Sequence, residues 1–91
     1  MNSENSSAVD NNNLTLSYDQ HLDARNLSCP LPLLKAKQCL NKLDVGQVLF
    51  IQATDPGSWD DFASYTNLSS HQLVLRKKTG DTFNFLLRRG E

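Results

Sequence analysis

Gln20-His-Leu-Asp-Ala-Arg-Asn-Leu-Ser-Cys29-Pro-Leu-Pro32-Leu-Leu-Lys-Ala-Lys-Gln-Cys39-Leu-Asn-Lys-Leu43 carries the chain from one backbone regime into another. Over residues 20–25 apolar and polar side chains alternate, with Leu22 and Ala24 on one side, which is the period of a strand. Asn26 is suited to end that strand, because asparagine tolerates the left-handed region better than most non-glycine residues. Leu27 then turns inward. Over residues 32–43 the period changes. Leu33, Ala36, Cys39, Leu40 and Leu43 recur at spacings of three and four, leaving Lys35, Lys37, Gln38, Asn41 and Lys42 for the solvent side of a helix. Pro32 fits the first turn, where its missing N–H is not needed, and Lys42 at the far end complements the helix dipole.

The remaining elements follow from this strand-to-helix unit. Asp44 to Gln47, with Gly46 as the turn residue, leads to Val48-Leu-Phe-Ile51, apolar on both faces as a central strand requires. Asp55-Pro-Gly-Ser58 breaks that strand. Ser58 reads as the cap of a second helix, with Asp61 three residues on in a capping-box position and Asp60 favourable to the dipole. Trp59, Phe62, Ala63 and Thr66 form its inner stripe, and it ends near Asn67. Residues 72–78 and 82–89 then read as a hairpin around Thr79-Gly80-Asp81. A three-residue loop pairing Lys77 with Phe83 would put Leu73 and Leu75 on one face with Phe83, Phe85 and Leu87. The order β-α-β-α-β-β, with right-handed crossovers, predicts a two-layer α/β sandwich: a four-stranded mixed sheet with two helices on one face. The far face is expected to be partly polar, through Arg76, Asn84 and Arg88.

Residues 1–18 are expected to stand outside this domain, which spans 19–91. They are rich in Asn and Ser, with Asn11-Asn-Asn13 and few apolar side chains, too little to offset the entropy of ordering. Within them Leu14 and Leu16 alternate with polar residues, as at a sheet edge. The segment has neither a basic n-region nor an apolar core, so it is no signal peptide, and no run approaches the roughly 20 residues of a membrane span. The formal net charge is −1, which gives no bulk electrostatic case for nucleic acid or an anionic membrane. A cytoplasmic chain is the expectation. Its two cysteines support this: Cys29 and Cys39 lie largely along one predicted helix, roughly 15 Å apart and beyond the ~7 Å limit for a disulfide.

Cys29 is the candidate reactive atom. It lies between strand and helix with proline after it, a poor place for a packing residue and a good one for an exposed sulfur. Helix N-termini favour the thiolate, with Leu31 and Leu33 as the available N–H donors and Arg25 as a nearby positive charge. Pro30 holds Cys29 out of the helical region. The alternative is a small buried apolar cysteine, the role Cys39 takes within the helical stripe. No general base stands out, since neither His21 nor His71 forms a motif with Cys29. Two Cys and two His without ligand spacing argue against metal, the missing second cysteine argues against dithiol exchange, and nothing in the pattern calls for a cofactor. A lone thiol suits chemistry in which sulfur is itself the cargo.

At these residues the chain resembles a known family. Leu22-Asp-Ala-Arg-Asn-Leu-Ser-Cys-Pro-Leu-Pro32 is similar to the Leu-Asp-x-Arg-Gly-Leu-x-Cys-Pro-x-Pro signature of TusA/SirA-type sulfur carriers, and the likeness continues through Asp55-Pro56 to Leu87-Arg-Arg-Gly90. The resemblance implies the same two-layer fold. It also implies that Cys29 accepts a persulfide from a cysteine desulfurase and relays it to a downstream acceptor protein. In the best-known branch the sulfur ends in 2-thiouridine of tRNA; other branches serve molybdenum cofactor synthesis or sulfur oxidation. Asn26 stands where glycine is usual, Leu31 replaces an acidic residue found in many members, and Thr66 stands where some have a second cysteine.

Asp23, Arg25, Pro30 and Pro32 are then expected to shape the Cys29 loop. Asp55, Asp60 and Asp61 serve either as helix caps or as a docking surface. Arg76, Lys77 and Lys78, joined by Arg88 and Arg89, form the densest basic cluster, either a solvated edge or a docking patch. A second reading makes the chain a non-catalytic module binding RNA or protein, of SirA type, with a structural cysteine. Against direct RNA contact, no exposed aromatics interleave with the basic residues, because Phe83 and Phe85 are needed in the core.

Overall fold

Parallel pairing of the first two strands sets the architecture. In a computed structural model, which describes residues 17–91, the elements are β1 (Gln20–Ala24), α1 (Leu31–Asn41), β2 (Val48–Ala53), α2 (Ser58–Asn67), β3 (Gln72–Thr79) and β4 (Thr82–Arg88). The expected tail over residues 1–16, with its Leu14 and Leu16 alternation, lies outside the described residues. The sheet order is β1-β2-β4-β3. Leu22 of β1 pairs in parallel with Ile51 of β2, and Ile51 pairs antiparallel with Phe85 of β4. A parallel pair needs a crossover, and α1 supplies it. Both helices cover one face of this mixed sheet, as expected. Among the described residues no helix is long and apolar enough to cross a membrane.

The core lies between that face and the helices. Ala24, Leu49, Ile51, Ala53, Phe85 and Leu87 from the sheet meet Ala36, Leu40 and Phe62 from the helices, all with no solvent exposure. Alanine at positions 24, 36 and 53 lets α1 come close to β1 and β2, while the larger gap under α2 is filled by Phe62 and Phe85, 4.6 Å between ring centres. Burying a side chain such as Phe62 contributes roughly 2 to 3 kcal/mol.

Two sequence expectations about the sheet are corrected. The hairpin turn has two residues, Gly80 and Asp81, with Thr79 opposite Thr82 and Lys78, rather than Lys77, opposite Phe83. Gly80 supplies the positive φ, 60°, that such a tight turn needs. The register then breaks between Leu73 and Leu75. This bulge absorbs one residue, so Leu73 faces the helices beside Leu87 while Leu75 faces away beside Leu86. The second correction concerns Arg76. It pairs with Phe85 on the helix-covered side, stacks over Trp59 at 4.2 Å and donates to the Trp59 carbonyl at 3.0 Å. The open face keeps Asn84 and Arg88, which are held by Gln52 and Gln72. It also carries an apolar strip of Tyr18, Phe50, Leu75 and Leu86, with His21 stacked on Phe50. Tyr18, assigned by its sequence to the tail, therefore touches the sheet, 5.1 Å from Phe50 between ring centres.

The end of α1 is served from the far end of the chain. Lys42 closes the helix through its backbone, but the last carbonyls are satisfied by Arg89, whose Nη1 donates to those of Leu40 at 3.0 Å, Asn41 at 3.1 Å and Leu43. Arg89 is pinned by its own backbone, donating to Gln47 and accepting from Gly46, each at 2.8 Å. Gly90 follows because the chain passes so near the segment between α2 and β3 that a Cβ there would collide with the Ser70 carbonyl oxygen. Its N–H donates to His71 Nδ1 at 3.0 Å. Partial burial, then the charge of Arg89, lowers the His71 pKa below the ordinary 6.5.

Arg89→Ala is expected to lower stability by about 2 kcal/mol, the usual loss for hydrogen bonds from a charged donor, measured by urea unfolding. His71 is favoured neutral in the folded state, so its contribution is complete above pH 6.5 and is lost as pH falls below it. The melting temperature should therefore drop more between pH 7.5 and 5.5 in the native sequence than in His71→Gln.

Candidate functional site

The site forms where the loops leaving the parallel strands β1 and β2 lie side by side. Asn26 leaves β1 with φ of 68°, and its N–H donates to Thr54 Oγ1 at 2.9 Å, tying the first loop to the second. Leu27 packs against the core, anchoring the chain just before the thiol. The Cys29–Pro30 peptide is cis. Helix α1 begins at Leu31, one residue earlier than expected, and buries Pro32 in its first turn. Cys29 is exposed, with the exposed apolar side chains of Leu31 and Leu34 on the same first helical turn.

Two of the groups expected to favour the thiolate, the Arg25 side chain and the Leu31 N–H, are committed to other partners. Arg25 is engaged elsewhere: its Nε donates to Asp23 Oδ1 at 2.8 Å and its Nη2 to Asp23 Oδ2 at 2.9 Å, while its backbone N–H also reaches Oδ1. The Asp23 carboxyl is brought down to about 2, chiefly by the Arg25 side chain. Any stability from this exposed pairing is present above the ordinary carboxylate value of 3.8 and is lost as pH falls toward 2. Asp23 and Arg25 thus pair with each other, and the guanidinium is spent on that pairing rather than on Cys29. The Leu31 N–H, expected to face the sulfur, donates to the Ser28 carbonyl at 2.9 Å.

What the sulfur does meet is a carboxylate. Cys29 Sγ donates to Asp61 Oδ2 at 3.4 Å. That hydrogen bond, then partial desolvation, then the charges of Asp61 and Asp55, raise the thiol's pKa above its ordinary value. Asp61 is in the first turn of α2, and its backbone N–H donates to Gly57. The capping expected of Ser58 is not observed: Ser58 is buried within the helix, and Gly57 is the N-cap with no side-chain hydrogen bond. Asp55 organises this turn instead, accepting the Gly57 N–H on Oδ2 at 3.0 Å and the Ser58 N–H on its carbonyl at 3.0 Å. A Cβ on Gly57 would lie 3.0 Å from Asp55 Oδ2 and 3.7 Å from Asp61 Oδ2, so both carboxylates flank one small residue.

The other candidates fall elsewhere. Asp60 lines a recess of about 300 Å³ with Pro56, Trp59, Lys78 and Phe83. The basic run does not form one patch. Arg76 is stacked on Trp59, Lys78 is over Phe83, Lys77 alternates to the open face, and Arg89 is committed to α1. His21 is on the open sheet face and His71 is beside Gly90, so neither imidazole is a base for Cys29. Cys39 is half-buried against the core and free. The sequence reading missed Thr54 and the contact between Cys29 and Asp61. Thr54 carried no motif, and the spacing from Ser58 to Asp61 fitted a capping box so well that it hid the other role.

Fold and site together define a small α/β protein that displays one free thiol at the carboxyl ends of two parallel strands, with no imidazole or second thiol beside it. The family model described as sulfurtransferase TusA matches residues 20–89, and the chain belongs to this family. It is 46% identical over 72 residues to the sulfur carrier protein TusA of Allochromatium vinosum, covering 79% of this chain and 95% of that one. It is 35% identical over 72 residues to YrkI of Bacillus subtilis, covering 79% and 96%. Among solved structures, a SirA-like protein of Desulfitobacterium hafniense superposes with a TM-score of 0.70 at 21% identity, covering 80% of this chain and all of that one, which supports the fold.

Thr54→Val should free the Asn26 N–H and loosen the Cys29 loop. Amide exchange at Asn26 and Leu27 is expected to accelerate at least several-fold, while exchange in β2 and β4 stays unchanged.

Proposed function

We propose that this chain is a persulfide-relay sulfur carrier: Cys29 accepts sulfane sulfur from a cysteine desulfurase and passes it to a downstream acceptor protein. The observation that carries the reading is the exposure of Cys29 at the start of α1, open to two partners in turn. Family membership supports sulfur transfer as the reaction class. That neither imidazole lies beside the thiol, among the described residues, fits as well. When the thiolate attacks a persulfide, a sulfur–sulfur bond forms as another breaks and a thiolate leaves, so no bound base has to shuttle protons through a tetrahedral intermediate. Two free cysteines suit a reducing compartment, and the cytoplasm is the proposed location.

For the destination, the proposed route is through acceptor proteins toward 2-thiouridine in tRNA, the best-known branch of the resemblance, without direct contact between this chain and RNA. Arg76, Lys77 and Lys78 are divided between the two sheet faces, which removes the basic surface an RNA-binding module would use. Docking of partners falls to the rim of the thiol, where Leu31 and Leu34 are exposed and Asp55 and Asp61 supply negative charge.

Incubation with a cysteine desulfurase and cysteine, followed by intact mass measurement, tests the reading. One added sulfur atom, removed by dithiothreitol, is expected on the native chain and on Cys39→Ser but not on Cys29→Ser. Unmodified Cys29 after exposure to several desulfurases would show that the chain is not a persulfide carrier.

A further inference from the structure

The thiol that the carrier reading needs as a nucleophile is hydrogen-bonded to a carboxylate, and the thiolate, not the thiol, attacks sulfur. Three features of the geometry bear on this. Cys29 Sγ is 3.4 Å from Asp61 Oδ2. Asp55 lies across Gly57 from Asp61, adding a second negative charge on the same side. The nearest candidate cation along the chain, Arg25, is held by both oxygens of Asp23 and turned to that pairing instead. Among the described residues, neither Asp55 nor Asp61 forms an ion pair with a lysine, arginine or histidine. A full negative charge beside Sγ opposes formation of a second one, and the hydrogen bond can exist only while sulfur keeps its proton.

We propose that Asp61 is a positioning residue that restrains Cys29, holding it as an aimed but protonated thiol in the free carrier until docking with the sulfur donor displaces or neutralises the carboxylate. The restraint rests on the carrier reading for its purpose, although the contact itself does not depend on it. An exposed thiolate would exchange with any disulfide or persulfide it met, whereas a thiol kept protonated waits for its partner. In the transfer step the Cys29 sulfur attacks the outer sulfur of the donor persulfide. A new sulfur–sulfur bond forms as the donor's breaks, and the donor cysteine leaves as a thiolate that takes up the proton lost from Cys29. The donor persulfide is reduced to a thiol, Cys29 is oxidised to a persulfide, and no further oxidant is needed. Sequence reading assigned the opposite tendency to this thiol, because it counted the helix terminus and could not see a carboxylate on another helix.

The test uses the full chain carrying Cys39→Ser, so that Cys29 is its one thiol, and follows the rate of iodoacetamide alkylation from pH 6 to 10.5. Asp61→Asn keeps the shape and an oxygen that can accept the S–H, and removes only the charge. It is expected to move the alkylation midpoint to lower pH and to raise the rate at pH 7.5 about 3- to 10-fold, tenfold corresponding to a shift of about one pH unit. Asp55→Asn should shift the midpoint in the same direction by less. Asp81→Asn, which removes the same charge at the β3–β4 turn, should leave it in place. Melting curves of the three variants establish that each is folded at the assay temperature. A midpoint that is unchanged or raised in folded Asp61→Asn overturns the restraint, as does an equal shift in Asp81→Asn. Desulfurase loading is measured on the same samples. A native chain that fails to load while Asp61→Asn shifts the midpoint would sink the carrier reading and uphold the contact. A native chain that loads normally with no shift would do the reverse.

Discussion

Parallel pairing of β1 with β2 is the constraint on which the rest of the molecule depends. Because Gln20 pairs with Leu49 and Ala24 with Ala53, the two strands run out together and their following loops emerge at the same end. Chain connectivity then demands a crossover, and α1 fills it, packed close over Ala24 and Ala53. The carboxyl ends of parallel strands are where open α/β sheets place their ligand-handling loops. Here that rule brings the Cys29 loop beside the Asp55–Asp61 segment and lets Thr54 hold the first loop through Asn26.

Charge around the site is arranged by pairing rather than by accumulation. Arg25 and Asp23 satisfy each other, which orders the loop while keeping the guanidinium away from sulfur. Asp61 and Asp55 face the thiol without a compensating cation among the described residues, and the thiol is raised accordingly. Elsewhere in the molecule the same economy applies. Arg76 covers Trp59 and Arg89 closes α1, so residues that look like a basic docking strip in the sequence are largely structural.

The readings that held were those resting on local physics. The period-two alternation in β1, the three-and-four spacing from Leu33 to Leu43 and the turn signals at Gly46 and Gly80 each report interactions within a few residues, so element order and both helices were legible. The exposed position of Cys29 was legible too, because the proline after it and the helix start are adjacent in sequence. The parity of β3 was not. A bulge between Leu73 and Leu75 shifts one side chain to the other face, and whether a ladder bulges depends on what packs above and below it. The capping box from Ser58 to Asp61 failed for a related reason. A short motif describes bonds that could form, and tertiary contacts drew Ser58 into the core and Asp61 to the sulfur.

The sequence by itself determined the order of strands and helices, the two-layer class and the exposed position of Cys29, since periodicity, turn chemistry and the placement of proline are properties of neighbours. Tertiary structure alone decided what surrounds that thiol. The bond from Cys29 to Asp61 spans 32 residues and that from Arg89 to Leu40 spans 49. Such pairs are set by the strand register and the approach of the helices, which no local pattern encodes. For Cys29 the difference is one of sign: its place at a helix start argued for an easily formed thiolate, and the neighbouring helix brings the carboxylate that opposes it.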